Sequence, residues 1–583
     1  MPLILGLNAY HADASAALLQ DGQLVAAVED ERLRRIKHWA GLPVQAAQAC
    51  LASVGAEAGD LDAIAVNRRS GAEWLAKLLF LLAHPEALAR LPGRRANRRA
   101  FANAPEEIAE GLGRAPQSVR RIAVPHHEAH LASAYYSSPF EAAAVVSVDG
   151  FGDFLSTLTA RGEGDALIPT GRVTFPHSLG VLYQAVTQHL GFGAFGDEYK
   201  VMGLAAYGRP TRMDAVAQLI RLRSGGRFAL DLRYFRHTRP GFTYRWQGGA
   251  PKVGTLFAPR VTTLLGSPRG PDDAIDEAHA DLAASLQVVY ERTLWHVLRH
   301  AARTVEGVRD LALAGGCAHN VVANARISAY TRFQRVFVPP APGDAGGAVG
   351  AALVAHRRLT GTAPRPVGHG AYLGPEVTDA QAAAALAAQA AALRAAGCRV
   401  TWPSADAMME AVAQALADGE LVGWAQGRME WGPRALGSRS LLADPRRWDV
   451  RERLNQRIKR REAFRPFAAA VLRERMADWF EADLDLPWMS QAVPVRADRR
   501  ALVPAIVHVD GTSRPQTVSA SQTPQFHDLI RRFEERTGVP LLLNTSLNRQ
   551  APIVCTAGDA LRLFLETGLH RLCLGGAMIV REP

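Results

Sequence analysis

The sequence predicts an α/β protein of two domains whose N-terminal domain is internally duplicated, on three observations. The chain has 583 residues, more than one hydrophobic core normally serves. A pattern of strand, acidic turn and strand near residue 3 recurs near residue 143. A Gly- and Pro-bearing stretch from Arg357 to Gly370 then separates this region from a block with different motifs.

Taken in order, Ile4 to Leu7 is a short apolar run that reads as a strand, and His11-Ala12-Asp13-Ala14-Ser15 is a polar turn. Ala16 to Leu19 and Leu24 to Glu29 form a hairpin across Asp21-Gly22. No basic segment precedes the first run, so no secretory signal is expected. Trp74 to Leu91 is apolar but holds Lys77, His84 and Glu86, and reads as a buried or amphipathic helix rather than a membrane span.

The second copy runs through the strand Ala143 to Val148, the turn Asp149-Gly150-Phe151-Gly152-Asp153 and the strand Leu155 to Ala160. Two more glycine-rich turns follow. Leu311 to Leu313 leads into Ala314-Gly315-Gly316-Cys317-Ala318-His319-Asn320 and a helix. Pro342-Gly343-Asp344-Ala345-Gly346-Gly347 leads into the helix Ala348 to His356. Glycines at a helix start let backbone N–H groups reach a phosphate, and the helix dipole favours the anion. Four such turns in order point to a nucleotide cleft. Two similar halves, each giving one phosphate loop, resemble the actin/sugar-kinase/Hsp70 superfamily.

The linker places the expected domains at residues 1–360 and 371–583, the second opening on an Ala-rich helix from Asp379 to Ala396. Apolar residues make up 48% of the chain and charged residues 21%, which is a globular balance. The net charge is +11, but basic pairs such as Arg94-Arg95 and Arg98-Arg99 are scattered. No long basic tract is interleaved with aromatics, so no nucleic-acid partner is expected. Cys50, Cys317, Cys398, Cys555 and Cys573 form no CxxC pair, which fits a reducing, cytoplasmic compartment.

His126-His127-Glu128-Ala129-His130 has helical composition, so His126 and His130 share a face with Cβ atoms roughly 5–6 Å apart and can grip one metal. The residue after the first His is His127, not the Glu base of the zincin motif. Asp149 and Asp344 each end a strand or loop facing the same cleft. Two His with one or two Asp suit Fe(II), Mn(II) or Zn(II) better than Ca or Mg.

These segments resemble the NodU/CmcH carbamoyltransferase family. The matching pieces are Asp13-Ala14-Ser15-Ala16-Ala17, Val124 to His130, Ser147-Val148-Asp149-Gly150, His177-Ser178-Leu179-Gly180, Gly196 to Ala205, Gly315-Gly316-Cys317 with Asn320, and Pro342-Gly343-Asp344. The resemblance spans nearly the whole chain. It implies that His126, His130, Asp149 and Asp344 hold an iron-like metal beside nucleotide phosphates. Lys37, Gly150, Gly315, Gly316, Asn320 and Asp344 are the candidates to hold the nucleotide or carbamoyl adenylate. His11, Asp13 and Lys37 are the candidate catalytic residues. Many relatives carry His directly before the Asp of this turn, whereas here Ala12 intervenes. His11 therefore reads equally as proton acceptor from an acceptor hydroxyl or as a turn histidine.

The C-terminal block is dense in cations and amides around Arg434, Leu454 to Phe467, Asp510 to Val518 and Leu543 to Asn548. A small phosphorylated substrate favours Arg forks on its oxygens and amides or hydroxyls on its carbonyl end. Arg446, Arg447, Arg460 and Arg461 read as solvated charges. Lys occurs only at Lys37, Lys77, Lys200, Lys252 and Lys459, so a Lys retained in a motif suggests a compact point charge where a planar fork does not fit. The block resembles the C-terminal domain of the same family, related to threonylcarbamoyl-adenylate synthases. That likeness implies that Arg434, Lys459, Arg465, Arg514, Asn544 and Ser546 bind carbamoyl phosphate or ATP. Ala463 stands where relatives usually have Pro, and the turn Asn548 to Pro552 is shorter than theirs.

The resemblance implies an O-carbamoyltransferase. ATP (with Mg) and carbamoyl phosphate give carbamoyl adenylate in the second domain. The first domain then passes the carbamoyl group to a hydroxyl of a small-molecule or sugar acceptor, with no membrane partner. The oligomeric state stays open, a homodimer included. Two other enzymes share parts of the pattern. A tRNA threonylcarbamoyl transferase shares the His pair but not the C-terminal set. A hydrogenase-maturation carbamoyltransferase carries CxxC zinc motifs that this chain lacks. A third alternative is a non-catalytic nucleotide switch of the Hsp70 kind, which lacks both clusters.

Overall fold

The computed structural model describes residues 2–69, 71–84, 103–113, 119–246, 248–364 and 370–582. The basic pairs at 94–99, the end of the predicted 74–91 helix and the linker residues 365–369 lie outside these. The chain divides into two compact units, Met1–His369 and Gly370–Pro583.

The first unit is built on two five-stranded sheets. In the first, β1 (Leu3–Asn8), β2 (Ser15–Gln20), β3 (Gln23–Glu29), β4 (Ala63–Val66) and β5 (Arg120–Ala123) take the order β3-β2-β1-β4-β5. In the second, β6 (Ala142–Gly152), β7 (Leu155–Glu163), β8 (Ala166–Thr174), β9 (Asp310–Ala314) and β10 (Arg335–Phe337) take the order β10-β9-β6-β7-β8. Strand directions repeat as well. β1 and β6 each head an antiparallel run of three strands, and each pairs in parallel with the next strand of its half. β4 and β9 in turn pair in parallel with β5 and β10. This is the duplicated α/β arrangement that the two strand–turn–strand patterns predict.

α1 (Val44–Ala52) covers one face of the first sheet, against β2 and β3. α2 (Trp74–Ala83) buries only Phe80 and leaves Trp74, Leu75, Leu78, Leu79 and Leu82 exposed. No helix among the described residues is long and apolar enough to cross a membrane. Between the sheets lie α3 (His126–Tyr135) and, later in the chain, the helix Gly346–Thr360. α3 packs on β6 and β9, the later helix packs on β1, β2 and β4, and the two pack on each other. Every residue of β1 is buried, as expected of a strand covered on both faces. The helix pair approaches so closely that a Cβ at Gly350 would lie 1.8 Å from the Ala129 carbonyl oxygen. α4 (Leu179–His189) and α5 (Glu277–Thr304) lie against β6, and α6 names the helix Gly346–Thr360.

Two local expectations change. The segment Asp149–Gly152 is not a free turn but a bulged continuation of β6, with the register shifting between Val148 and Gly152. A bulge re-aims a side chain without ending the strand, and here it places Asp149. The turn proper is Asp153-Phe154, both at positive φ. α6 also runs four residues past His356 and ends at Gly361, in the left-handed region that suits glycine after a helix.

The second unit carries one mixed sheet of eight strands. They are β11 (Cys398–Thr401), β12 (Val422–Ala425), β13 (Arg439–Ala443), β14 (Ala468–Leu472), β15 (Pro515–Val518), β16 (Leu541–Ser546), β17 (Arg571–Leu574) and β18 (Ala577–Arg581), in the order β11-β18-β17-β12-β13-β16-β14-β15. α7 (Ala405–Ala417) and α8 (Pro524–Thr537) pack on each other, and α8 rests on β14 and β16. Trp424, Phe533 and Phe564 anchor its core. The predicted helix Asp379–Ala396 is two helices, Asp379–Ala388 and Ala390–Ala395. They break at Gln389, whose N–H is shared between the Ala385 and Leu386 carbonyls at 3.2 and 3.3 Å.

Candidate metal centre and anion site

α3 begins on His126 because its first N–H is capped from another element. The Asp153 carboxylate accepts from His126 N at 3.0 Å and from Arg69 N at 2.8 Å. The i, i+4 spacing then stacks His130 one turn on, with its Nε2 3.0 Å from the His126 Nε2. Asp149 arrives from the β6 bulge, with Oδ2 at 3.2 Å from His126 Nε2 and 3.8 Å from His130 Nε2. Asp344, just before α6, brings Oδ1 to 3.5 and 3.6 Å from the same two nitrogens. One ligand atom from each of the four residues lies within 4.8 Å of all the others.

These separations fit a metal. Ligand atoms about 2.1 Å from a tetrahedral ion stand about 3.4 Å apart. Asp344 Oδ1 is buried and takes no hydrogen bond among the described residues, which suits a coordinating oxygen. The cluster is also electrostatically prepared for a cation. Burial alone disfavours the Asp149 carboxylate, yet hydrogen bonds from His126 and His130 hold its carboxyl well below the usual range. Burial likewise opposes the His130 imidazolium, and Asp149 and Asp344 outweigh it to raise that imidazole to about 9. Around the ligands, Gly316 N donates to Asp149 Oδ1 at 2.7 Å, and Ser178 Oγ donates to the Asp149 carbonyl at 3.1 Å. Gly152 is needed for space, because a Cβ there would lie 1.9 Å from the His126 ring.

The other candidates of this unit divide. His11 joins the cluster, with Nδ1 3.7 Å from Asp344 Oδ2 and its ring centroid 5.1 Å from that of His126. Burial holds its imidazole below the ordinary range. Its Nε2 faces the Arg68 guanidinium at 3.1 Å, an obligate donor that occupies the lone pair a substrate proton would use. Asp13 belongs to a separate group. Its Oδ1 is 2.8 Å from His38 Nδ1, and the His38 N–H donates to Glu31 at 2.7 Å. Burial is outweighed there by Asp13 and then Glu31, and the His38 imidazole is raised to about 9. Lys37 is exposed beside it. Gly150 follows Asp149 in the bulge, and Gly315 precedes the donating Gly316. Asn320 has structural partners. Its amide pairs both ways with Gln287 at 3.0 Å and accepts from Ala323 N. His38 and Arg68 escaped sequence reading because their partners lie 25 and 57 residues away.

In the second unit, Arg514 is crowded by like charges. Burial, then Arg434, Arg461 and Arg465, hold its guanidinium well below the usual Arg range. A guanidinium does not surrender its proton at such a site, so the arrangement is one that an anion stabilises. Arg461 is a correction. It reads as a solvated charge in sequence, but it stacks on Phe467 with its Cζ 4.3 Å from the ring centroid and donates to Asn455 Oδ1 at 2.7 Å. Arg446 is another, paired with the buried Asp444 at 2.7 Å and stacked on Phe533. Lys459 is buried and donates to the Ser546 carbonyl, to Ser546 Oγ at 3.2 Å and to Asn548 Oδ1 at 2.8 Å. Asn544 donates to Gln516 Oε1 at 2.9 Å and to the Ala435 carbonyl at 3.2 Å.

Comparison with known proteins follows this division. Residues 3–353 match the family described as carbamoyltransferase N-terminus, and residues 413–581 match carbamoyltransferase C-terminus. The chain is 37% identical to an uncharacterized protein of Synechocystis sp., over 100% of this chain and 97% of that one. It is 38% identical to nodulation protein NolNO of Sinorhizobium fredii, over 99% of this chain and 80% of that protein. Nodulation protein U of Bradyrhizobium diazoefficiens is 28% identical over 94% and 92% of the two chains.

Proposed function

Because the chain belongs to the carbamoyltransferase family, we propose that it is an O-carbamoyltransferase running two reactions in its two units. In the second unit, carbamoyl phosphate and water give carbamate and inorganic phosphate. A carbamate oxygen then attacks the α-phosphorus of ATP, forming carbamoyl adenylate and releasing pyrophosphate. In the first unit an acceptor hydroxyl attacks the carbamoyl carbon, the bond to the adenylate oxygen breaks, and AMP leaves with the hydroxyl proton lost to solvent or a base. The acceptor is a small molecule or glycan, and the compartment is the cytoplasm, which five cysteines without a disulfide suit.

One observation carries this reading: a two-His, two-Asp ligand set and a four-guanidinium cluster occur in separate units of one chain. Arg434, Arg461, Arg465 and Arg514 bind and neutralise phosphate oxygens, and Lys459 orients the Ser546 and Asn548 oxygens beside them. His126, His130, Asp149 and Asp344 would hold Fe(II) or another divalent transition metal, which when bound supplies Lewis acidity toward developing negative charge. Gly316 N fixes the Asp149 carboxylate, and the Gly315-Gly316 turn receives the nucleotide together with Gly150. Asp13, held by His38, and His11 position the acceptor, while Lys37 meets an anionic group of the nucleotide.

The test is the product set. Carbamoyl phosphate, ATP and a hydroxyl compound should yield AMP, pyrophosphate and inorganic phosphate. ADP as the nucleotide product identifies a kinase of this fold instead and overturns the reading.

A further inference from the structure

The second unit contains a buried amide pair with a fixed polarity. Gln516 and Asn544 are each 1% exposed. Two backbone carbonyls, which can only accept, set the direction of both amides. The Leu436 carbonyl accepts from Gln516 Nε2 at 2.7 Å and from the Tyr372 hydroxyl at 2.8 Å. Gln516 Oε1 therefore points the other way and accepts from Asn544 Nδ2 at 2.9 Å. The second hydrogen of that Nδ2 goes to the Ala435 carbonyl at 3.2 Å. Both hydrogens are committed, so the Asn544 amide cannot flip without losing both bonds.

What remains is Asn544 Oδ1, buried and accepting no hydrogen bond among the described residues. An unsatisfied buried acceptor is costly, and native structures rarely leave one without a purpose. Its surroundings suggest the donor. Ala435 follows Arg434 in the chain. Gln516 lies two residues after Arg514, which directly precedes β15, and Asn544 lies two residues from Ser546 on the same face of β16. Ser546 Oγ is in turn 3.2 Å from Lys459 Nζ. The amide pair is thus joined through the chain to Arg434, Arg514 and Ser546, groups that bind phosphate in the proposed function. A carbamoyl phosphate held there carries an NH₂ group at its far end, where acetyl phosphate carries a methyl.

Resting on the function proposed above, and on the family likeness that puts Asn544 among the carbamoyl phosphate ligands, we propose that Gln516 is the positioning residue whose clamp turns Asn544 Oδ1 toward the carbamoyl N–H and makes the site select a carbamoyl phosphate over an acyl phosphate. Removing the clamp leaves the Asn544 amide held by the single 3.2 Å bond to the Ala435 carbonyl, so that it can turn and present a donor to the substrate donor. A site built around a substrate N–H discriminates strongly against the analogue that lacks it, because its own polar atom is left unpaired.

The experiment is calorimetric titration of the full chain with carbamoyl phosphate and with acetyl phosphate, without ATP. Wild type should bind carbamoyl phosphate at least tenfold more tightly. Gln516→Leu should bring that ratio close to one, by weakening carbamoyl phosphate alone. Gln516→Glu keeps an acceptor for Asn544 Nδ2, so it should retain the ratio even if its charge weakens both ligands equally. If Gln516→Leu does not fold, Gln516→Met supplies the same comparison at closer volume. A ratio unchanged in the apolar variant, or near one in wild type, overturns the inference, as does failure of both ligands to bind. The readout needs no turnover. An intact ratio without pyrophosphate release therefore counts against the proposed function alone, and turnover with an unchanged ratio counts against the inference alone.

Discussion

At the scale of single residues, the proposed metal ligands make the sharpest prediction. His126→Ala or His130→Ala should abolish stoichiometric metal, measured by elemental analysis of the purified protein. Carbamoyl phosphate-dependent pyrophosphate release should persist, because the Arg cluster belongs to the other unit. Full metal content in the double variant refutes the ligand assignment. Lys459→Arg probes the other site. Its ammonium is packed on three oxygens of Ser546 and Asn548, a space that a planar fork does not share. Pyrophosphate release should fall at least a hundredfold, while supplied carbamoyl adenylate restores transfer. Loss under both conditions places Lys459 in folding or in transfer. The His pair and Asp149 were legible in sequence because helical spacing and a strand end are local signals. Arg461 was not, since its stacking plate Phe467 and its neighbour Arg514 come together only through the tertiary fold.

At the scale of elements, the helix α4 carries a built-in acid sensitivity at its last residue. His189 is 2% exposed and packs edge-on against Phe257. Burial, with Arg212 and His279 adding to it, lowers its imidazole to about 4. The folded protein therefore binds this proton less readily than the unfolded chain, whose imidazole titrates near 6.5. The contribution is intact above pH 6.5 and is lost as pH falls toward 4, by roughly 3 kcal/mol at most. His189→Phe should flatten the fall in melting temperature between pH 7 and pH 5 relative to wild type, and parallel curves refute the assignment. Strands of the first half were legible because β1 and β2 are short apolar runs bounded by polar turns. The β6 bulge was not, since Asp149-Gly150-Phe151-Gly152-Asp153 has turn composition and only pairing with β7 reveals its extension. The break at Gln389 was equally hidden, because an Ala-rich run favours helix throughout.

At the scale of the whole molecule, each unit has its own core. Leu5, Leu18 and Ile64 belong to one cluster in the first unit, and Trp424, Phe533 and Phe564 to another in the second. Heating should resolve two transitions. A chelator should lower only the one of the unit proposed to hold the metal, and pyrophosphate should raise only the other, because a ligand stabilises the fold that binds it. A single transition moved by both treatments contradicts this independence. The duplication was legible because the sequence repeats its strand–turn–strand pattern. The strand order of the eight-stranded sheet was not, since β11, β18 and β17 lie together although more than 160 residues of chain separate the first from the others. The near-contact of Gly350 with the Ala129 carbonyl has a consequence for exchange with heavy water. With backbone lying on backbone between two covered sheets, the amides of α3 and those of α6 as far as His356 have no local route to solvent and wait for the unit to open. Deuterium should enter there last, long after it has labelled the exposed face of α2.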